Sequence, residues 1–167
     1  QRAGRDMEAV IDAFLILARE ADVEPQLELF DVNDIVRYEV DNARELIAGR
    51  PVHIHLHSDG PVELHAPPRV LQVVVSNLLR NACSYTDEGR IDVDVHADRV
   101  VVRDTGIGMS PEALSRAFGP FYRAEPSRPQ GAGLGLSIVR RLCDRFGWKI
   151  SLTSEPGVGT QATIGYR

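Results

Sequence analysis

The chain has 167 residues, of which 43% are hydrophobic and 26% are charged, a composition typical of one globular domain of ordinary size. Its formal net charge of -5 is not offset by any run of basic residues, which argues against a nucleic-acid-binding protein. No apolar stretch approaches the roughly 20 residues that cross a bilayer, so we expect no membrane contact by this part of the protein.

The first segment predicts a helix with a heptad-like apolar stripe. Its apolar residues recur at alternating steps of three and four, at Met7, Val10, Phe14, Leu17 and Ala21. A stripe of this length is too short for a stable coiled coil by itself. We therefore interpret it as the end of a longer helix whose partner is missing. Pro25 then breaks the pattern.

Five predicted elements follow between Pro25 and Tyr85. They are a short strand over 27–30, a helix over 35–48, a strand over 52–56, a short strand over 62–64 and a helix over 67–85. Asp31 or Asn33 can cap the first helix, and Gly49 ends it. The second helix has a strong apolar face, formed by Leu71, Val74, Val75, Leu78, Leu79 and Ala82.

The second half of the chain completes the predicted fold. Its elements are strands over 91–96 and 100–103, a short helix opened by Ser110, a loop over 120–133, a helix over 134–146 and strands over 148–153 and 160–166. This order predicts an α+β fold, a two-layer α/β sandwich whose mixed, mostly antiparallel sheet carries helices on one face. Cys83 and Cys143 fall inside predicted helices, where we expect two buried thiols rather than a disulfide.

The helix over 67–85 carries a pair of asparagines. Asn77 and Asn81 lie four residues apart, so they share one helix face, offset from the apolar one, with Ser84 and Tyr85 near it. A carboxamide oxygen is a neutral ligand that can complete a Mg²⁺ shell beside phosphates. Taken alone, the pair is equally compatible with ordinary polar residues at the surface.

A second motif runs from Asp104 to Gly108, directly after a predicted strand. Glycines at 106 and 108 let the backbone approach a flat ligand closely. The Asp104 carboxylate can accept a hydrogen bond from the exocyclic amine of adenine, whereas guanine presents an oxygen there and is repelled. Taken alone, a simple Asp-Gly turn explains this motif better.

A glycine-rich stretch over 131–137 runs straight into a helix, where backbone amides and the helix dipole suit a phosphate chain. Leu136 stands where the dinucleotide fingerprint needs a third glycine or alanine, and the Gly-Lys-Ser/Thr ending of a P-loop is missing. The stretch therefore predicts a phosphate-binding loop of neither common class. A fourth element, over 157–160, lies at the turn between the last two strands, where Thr160 can bring a hydroxyl near a bound base.

Together these elements resemble the sensor histidine kinases, within the superfamily that includes gyrase, the mismatch-repair ATPases and a heat-shock chaperone. Residues 77–82 resemble the N box, 104–108 the first glycine box, 118–123 the F box, 131–137 the second glycine box and 157–160 a further short box. The F box separates histidine kinases from the other branches. The resemblance implies a Bergerat-type ATP-binding fold with ATP and Mg²⁺ as cofactors.

The resemblance also implies a role for individual residues. Asn81 is the implied Mg²⁺ ligand, with Asn77 supporting it, and Asp104 binds the adenine amine. The residues implied to contact the nucleotide are Asn77, Asn81, Tyr85, Asp104, Gly106, Gly108, Phe121, Arg123, Arg128, Gly131, Gly133, Gly135, Leu136 and Thr160. No catalytic residue is expected in this chain, because in the family the base flanks the phosphorylated histidine.

By the same resemblance, residues 1–24 are the distal end of a dimerisation helix and residues 25–167 the catalytic ATP-binding domain. The kinase would pass the γ-phosphoryl of ATP to a histidine on a dimerisation helix absent from this chain, and then to a response regulator. None of the five histidines lies in a phosphoacceptor motif, so we expect no autophosphorylation by this chain alone. The implied partners are the phosphoacceptor helices of the same dimeric kinase and the regulator. The domain would be cytoplasmic, and the whole protein anchored in the inner membrane.

Two departures from the family pattern leave alternatives open. Ser84 stands where many members have lysine or histidine, so Arg80, Arg123 or Arg128 must supply the positive charge, or nucleotide binding is weaker. The lid over 125–130 is also short. An anti-sigma-type serine kinase and a non-catalytic nucleotide-binding regulatory module therefore remain as rivals. The alternating histidines at 53, 55 and 57 predict a solvated sheet face, with a zinc site as a minor alternative.

Overall fold

The computed structural model of the chain describes residues 26–119 and 135–167. The predicted helix within residues 1–24 and the predicted loop over 120–133 lie outside the described residues. The strands are β1 (Glu28–Asp31), β2 (Val52–Ser58), β3 (Glu63–Ala66), β4 (Gly89–Val95), β5 (Arg99–Asp104), β6 (Lys149–Glu155) and β7 (Gly159–Gly165). The helices in the described ranges are α1 (Val32–Leu46), α2 (Pro68–Tyr85), α3 (Pro111–Arg116) and α4 (Gly135–Arg145).

Five of these strands form one mixed sheet in the order β2-β4-β5-β7-β6. The β2–β4 pair is parallel and the other three pairs are antiparallel. β1 and β3 form a separate antiparallel pair. The predicted α+β class and the predicted mixed sheet are both confirmed.

The sheet has one apolar face because its strands alternate apolar and polar residues. Val93 on β4 pairs with Val102 on β5, which pairs with Ala162 on β7, and all three are buried. These strand residues share one hydrophobic core with α1, α2 and α4. Each large apolar side chain buried there contributes roughly 1.5–3 kcal/mol. The helices therefore cover one face of the sheet, and the opposite face is polar.

The polar face carries the alternating histidines of β2. His53, His55 and His57 are exposed, as the solvated-face interpretation requires. His57 lies 3.6 Å from a carboxylate oxygen of Asp92 on the neighbouring strand. Within residues 26–119 and 135–167 there is no group of three or more His, Cys, Asp or Glu side chains that could hold a metal ion, so these residues do not support the zinc alternative.

Several element boundaries differ from the predicted ones. α1 begins at Val32 rather than at Ile35, because Asp31 rather than Asn33 is its cap. One oxygen of Asp31 accepts hydrogen bonds from the Asn33 amide (2.9 Å) and the Val62 amide (3.1 Å). The Asn33 amide in particular holds the pKa of this carboxyl below its ordinary value. The Asp31 side chain thus also joins the start of α1 to Val62, the residue just before β3.

Cys83 and Cys143 are buried free thiols, which confirms the prediction. Burial raises the pKa of Cys143 to about 12, so this thiol stays protonated near neutral pH. Neither of the described segments contains a helix with the length and apolarity needed to cross a membrane.

Arg50 holds the carboxyl end of α2. Its guanidinium donates to the carbonyls of Cys83 (3.0 Å) and Thr86 (2.5 Å). The last carbonyls of a helix have no partner within the helix, and hydrogen bonds from a charged donor are the stronger kind. Arg50 was not singled out in the sequence, because its partners lie 33 and 36 residues further along the chain. It fixes the end of the helix that carries both asparagines.

We expect Arg50→Ala to destabilise the fold by roughly 1.5–3 kcal/mol, because two carbonyls at the end of α2 lose a charged donor. Urea unfolding measures the change. Arg37→Ala is the matched control, since Arg37 pairs with Asp34 on the exposed face of α1 at 3.4 Å and holds no helix end. Equal unfolding midpoints for the two variants would contradict the proposed role of Arg50.

Candidate nucleotide-binding site

At one end of the sheet, three polar side chains lie in a row on the face that is otherwise apolar. Asp104 on β5 pairs with Thr160 on β7, and Thr160 pairs with Ser154 on β6. Residues in register on neighbouring strands point to the same face, and the partner of Asp104 on β4 is the fully buried Ile91. These three residues, which we call the polar row, therefore continue the helix-covered face at one end of the sheet.

Asp104 is only 8% exposed, and its two carboxylate oxygens do different things. Oδ1 accepts hydrogen bonds from the backbone amides of Gly106 (2.9 Å) and Thr160 (3.2 Å). Oδ2 accepts none from any residue in the described ranges. Burial raises the pKa of Asp104, and the two amide bonds oppose this shift in part. One oxygen is thus used to hold the loop, and the other remains available to a donor.

Ser154 connects the loop after β5 to the last two strands. Its hydroxyl accepts from the Met109 amide (2.8 Å), donates to the Gly159 carbonyl (3.0 Å) and lies 2.7 Å from the Thr160 hydroxyl. The predicted strand ended at Thr153, so Ser154 was missed. The available signal was the alternation of β6, because Ile150 and Leu152 point to the same face as Ser154.

The glycines of this loop allow backbones to meet. A Cβ on Gly106 would lie 2.2 Å from the carbonyl oxygen of Tyr85, which accepts a hydrogen bond from the Ile107 amide at 3.0 Å. A Cβ on Gly108 would lie 2.0 Å from the carbonyl oxygen of Glu155. The end of α2, the loop after β5 and the turn between β6 and β7 therefore converge at one place. Gly106 and Gly108 let these backbones come together because neither has a side chain in the way.

The two asparagines of α2 are in different environments. Asn77 is 6% exposed, donates to the Val73 carbonyl at 2.7 Å and accepts from Arg80 at 3.3 Å. A Cβ on Gly135 would lie 3.1 Å from its Oδ1, so Asn77 joins α2 to the start of α4. The half-buried Asn81 side chain forms no hydrogen bond with the described part of the chain. Of the pair, Asn81 therefore has an amide oxygen with no partner among residues 26–119 and 135–167.

Several predicted residues are brought together. Tyr85 meets Gly106, Asn77 meets the first residue of α4, and Asp104 meets Thr160. Leu136 is partly buried and packs against the core near the start of α4. The first turn of α4 has no acidic residue to compete with an anion at the positive end of its dipole. The remaining predicted contacts lie outside the described residues: Phe121, Arg123, Arg128, Gly131 and Gly133.

Residues 66–166 match the family described as Histidine kinase-, DNA gyrase B-, and HSP90-like ATPase. This match covers more than half of the chain, which therefore belongs to this ATPase family, and its curated relatives are sensor kinases. Sensor histidine kinase RcsC of Escherichia coli strain K12 is 34% identical over 164 residues, covering 93% of this chain and 17% of RcsC. Phosphate regulon sensor protein PhoR of Pseudomonas aeruginosa is 35% identical over 175 residues, covering 99% of this chain and 40% of PhoR.

Solved structures agree with the family match. Full-length ShkA in complex with AMPPNP superposes with a TM-score of 0.80 and 25% identity, covering 98% of this chain and 36% of ShkA. The cytoplasmic segment of histidine kinase QseC gives a TM-score of 0.72 at 22% identity and covers 99% of this chain, which supports the fold. The chain is thus the ATP-binding catalytic domain of the histidine kinase class, and it spans less than half of RcsC or PhoR.

Gly108→Ala and Gly157→Ala form a matched pair that tests the backbone convergence. Both glycines have positive φ values (+70 and +78), so each variant loses roughly 1–2 kcal/mol to backbone strain. The new Cβ at position 108 would also clash with the Glu155 carbonyl, whereas a Cβ at position 157 would have no atom within 4 Å. We expect Gly108→Ala to lose at least about 1 kcal/mol more than Gly157→Ala in urea unfolding. Equal losses would mean that the loop and the turn are not in contact.

Asp104→Asn tests the burial of this carboxylate. The amide oxygen can still accept both backbone amides, whereas the charge is gone. Because burial raises the pKa of Asp104, its ionisation opposes folding. This penalty is absent below the ordinary value of 3.8 and develops as pH rises through the folded pKa. We expect urea unfolding to find the variant gaining stability relative to the parent as pH rises toward neutral. A relative loss over that range would contradict the assignment.

Proposed function

We propose that this chain binds Mg-ATP and presents its γ-phosphoryl for transfer to a histidine on a dimerisation helix of the same kinase. The observation that carries the proposal is the buried Asp104 carboxylate, which holds its loop with Oδ1 and leaves Oδ2 without a partner among the described residues. A buried charged acceptor is unfavourable without a ligand. A bound donor would offset that penalty.

The base that fits this acceptor is adenine. Its exocyclic amine donates where guanine presents an oxygen, and a hydrogen bond to a charged group contributes roughly 1.5–3 kcal/mol. Thr160 lies beside Asp104 in the polar row and brings its hydroxyl to the same edge. Tyr85, Gly106 and Gly108 would form the wall of the adenine pocket, because their backbones already meet there.

The residues at the other end of the site fit a Mg²⁺ ion between phosphates. Asn81 offers a neutral amide oxygen with no partner in the described ranges, and Asn77 holds α2 against the start of α4. The ion would neutralise phosphate charge during transfer. Gly135 and Leu136 would bring the amino end of α4 to the phosphates. The further contacts we propose are Phe121, Arg123, Arg128, Gly131 and Gly133.

In the whole protein, the phosphoryl group would pass from the histidine to a response regulator. Residues 1–24 would continue a dimerisation helix, and residues 25–167 would form the catalytic domain. The whole protein would be a sensor anchored in the inner membrane with this domain in the cytoplasm. The names of the relatives favour histidine over serine as the acceptor. Transfer of this kind rests on positioning and charge neutralisation, which suits a domain in which we expect no catalytic base.

One residue supports a second candidate function, a nucleotide-binding regulatory module without kinase activity. Ser84 follows the asparagines on α2 and cannot give the phosphates a positive charge. The nearby Arg80 donates to Asn77. Joining this domain to a dimerisation helix with its histidine and assaying for phosphohistidine separates the two functions. Label on the histidine supports the kinase, and bound nucleotide without label supports the regulatory module.

Asn81→Ala tests the ion site. We expect the variant to lose the Mg²⁺-dependent part of its ATP affinity, about tenfold or more, and to keep its affinity for ATP in the presence of EDTA. Titration calorimetry with and without Mg²⁺ measures both. Asn42→Ala is the control, because it removes the same amide from α1, where the Asn42 side chain hydrogen-bonds Glu39 rather than any residue of the proposed ion site. An Asn81→Ala protein with the parent's Mg²⁺ dependence would exclude Asn81 as the ligand.

A further inference from the structure

The Ser154 hydroxyl contacts one group that can only donate a hydrogen bond and one that can only accept. The Met109 amide can only donate and the Gly159 carbonyl can only accept. A hydroxyl has one proton and accepts at its lone pairs. Ser154 therefore accepts from Met109 at 2.8 Å and donates to Gly159 at 3.0 Å. Its contact with the Thr160 hydroxyl at 2.7 Å is then a bond that Thr160 must donate.

The opposite arrangement makes fewer bonds. If Ser154 gave its proton to Thr160, the Gly159 carbonyl would lose its donor, and two hydrogen bonds would replace three. The Asp104 carboxylate accepts the backbone amide of Thr160 and, among the described residues, makes no hydrogen bond with the Thr160 hydroxyl. In the arrangement with three bonds, the Thr160 proton goes to Ser154.

The edge of the site thus presents acceptors only. Asp104 contributes Oδ2, and Thr160 contributes a lone pair, because its proton is held by Ser154. A threonine hydroxyl with a free proton would instead accept from a 6-amino group or donate to a 6-oxo group. We propose that Ser154 is a positioning residue for base selectivity, which fixes the Thr160 hydroxyl as an acceptor and so favours 6-aminopurine over 6-oxopurine nucleotides.

This inference rests on the proposed function, since it requires the base to dock against Asp104. Without the Ser154 hydroxyl, the Thr160 proton is released and can be donated to an oxygen of the ligand. A 6-oxopurine then gains a donor, which lowers the preference for the amino base, whereas a purely structural defect weakens both kinds of nucleotide alike.

The test compares the affinities of the chain for ATP and for inosine triphosphate, which carries an oxygen at purine position 6. The selectivity ratio is the dissociation constant for inosine triphosphate divided by that for ATP. We expect Ser154→Ala to lower this ratio by about three- to tenfold, the effect of one neutral hydrogen bond. Ser151→Ala is the matched control, because it removes a serine from the exposed, opposite face of the same strand. It should keep the parent's ratio.

Two further comparisons isolate the mechanism. Threonine and valine have nearly the same shape, and both suit a strand. We expect Ser154→Thr to keep the parent's ratio and Ser154→Val to lower it. This pair tests the hydroxyl even if Ser154→Ala folds poorly. In a Thr160→Val background, Ser154→Ala should leave the ratio unchanged, because its effect passes through Thr160.

The outcomes separate the inference from the proposed function. A parent that prefers ATP, with an unchanged ratio in Ser154→Ala or an equal ratio in Ser154→Thr and Ser154→Val, overturns the inference alone. A parent that binds neither nucleotide overturns the proposed function and the inference with it.

Discussion

The Asp104 carboxylate binds two backbone amides that belong to different parts of the chain, one from the loop that follows its own strand and one from β7. Because both bonds go to a single oxygen, this side chain fixes the loop and still presents a charged acceptor at the end of the sheet. Burial works against that charge and raises the pKa of Asp104. The ionised Asp104 carboxylate is therefore less favourable by itself than with a bound hydrogen-bond donor beside it.

The rest of the site follows from how closely the backbones around Asp104 approach one another. A Cβ on Gly159 would lie 1.9 Å from the Asp104 carbonyl oxygen, and Gly106 and Gly108 meet neighbouring carbonyls almost as closely. α2 enters the same contact through the carbonyl of Tyr85, and Arg50 holds the end of that helix in place. The end of α2, the loop after Asp104 and the hairpin between β6 and β7 are thus in direct backbone contact, although they come from distant segments of the sequence.

Local patterns in the sequence were sufficient for most of the fold. Alternating residues identified β2 and the apolar face of the sheet, and the serine cap and proline at 110 and 111 marked α3. Asn77, Asn81, Asp104 and the glycines could be singled out because each motif is contiguous. Their contacts with a nucleotide or Mg²⁺, and those within residues 120–134, stay predictions.

The features that were missed depend on register and on distant partners. The alternation of β6 places Ser154 on the same face as Ile150 and Leu152, but its importance comes from facing Thr160 on the next strand. Arg50 likewise acts on carbonyls of a helix that begins 18 residues later. The cap residue Asp31 also accepts from the amide of Val62, the residue just before β3, and this distant partner is not visible in the local pattern. A single sequence does not specify such pairings directly.

The hairpin between β6 and β7 has an unusual constraint for a surface turn. Turns of this kind ordinarily accept insertions and deletions with little effect. Here the Gly157 amide donates to the Ile107 carbonyl at 2.7 Å, and the Glu155 carbonyl lies against Gly108. One added residue would pull the tip of this hairpin away from the loop that follows Asp104. Related domains that keep the same pocket should therefore vary the composition of this turn and preserve its length.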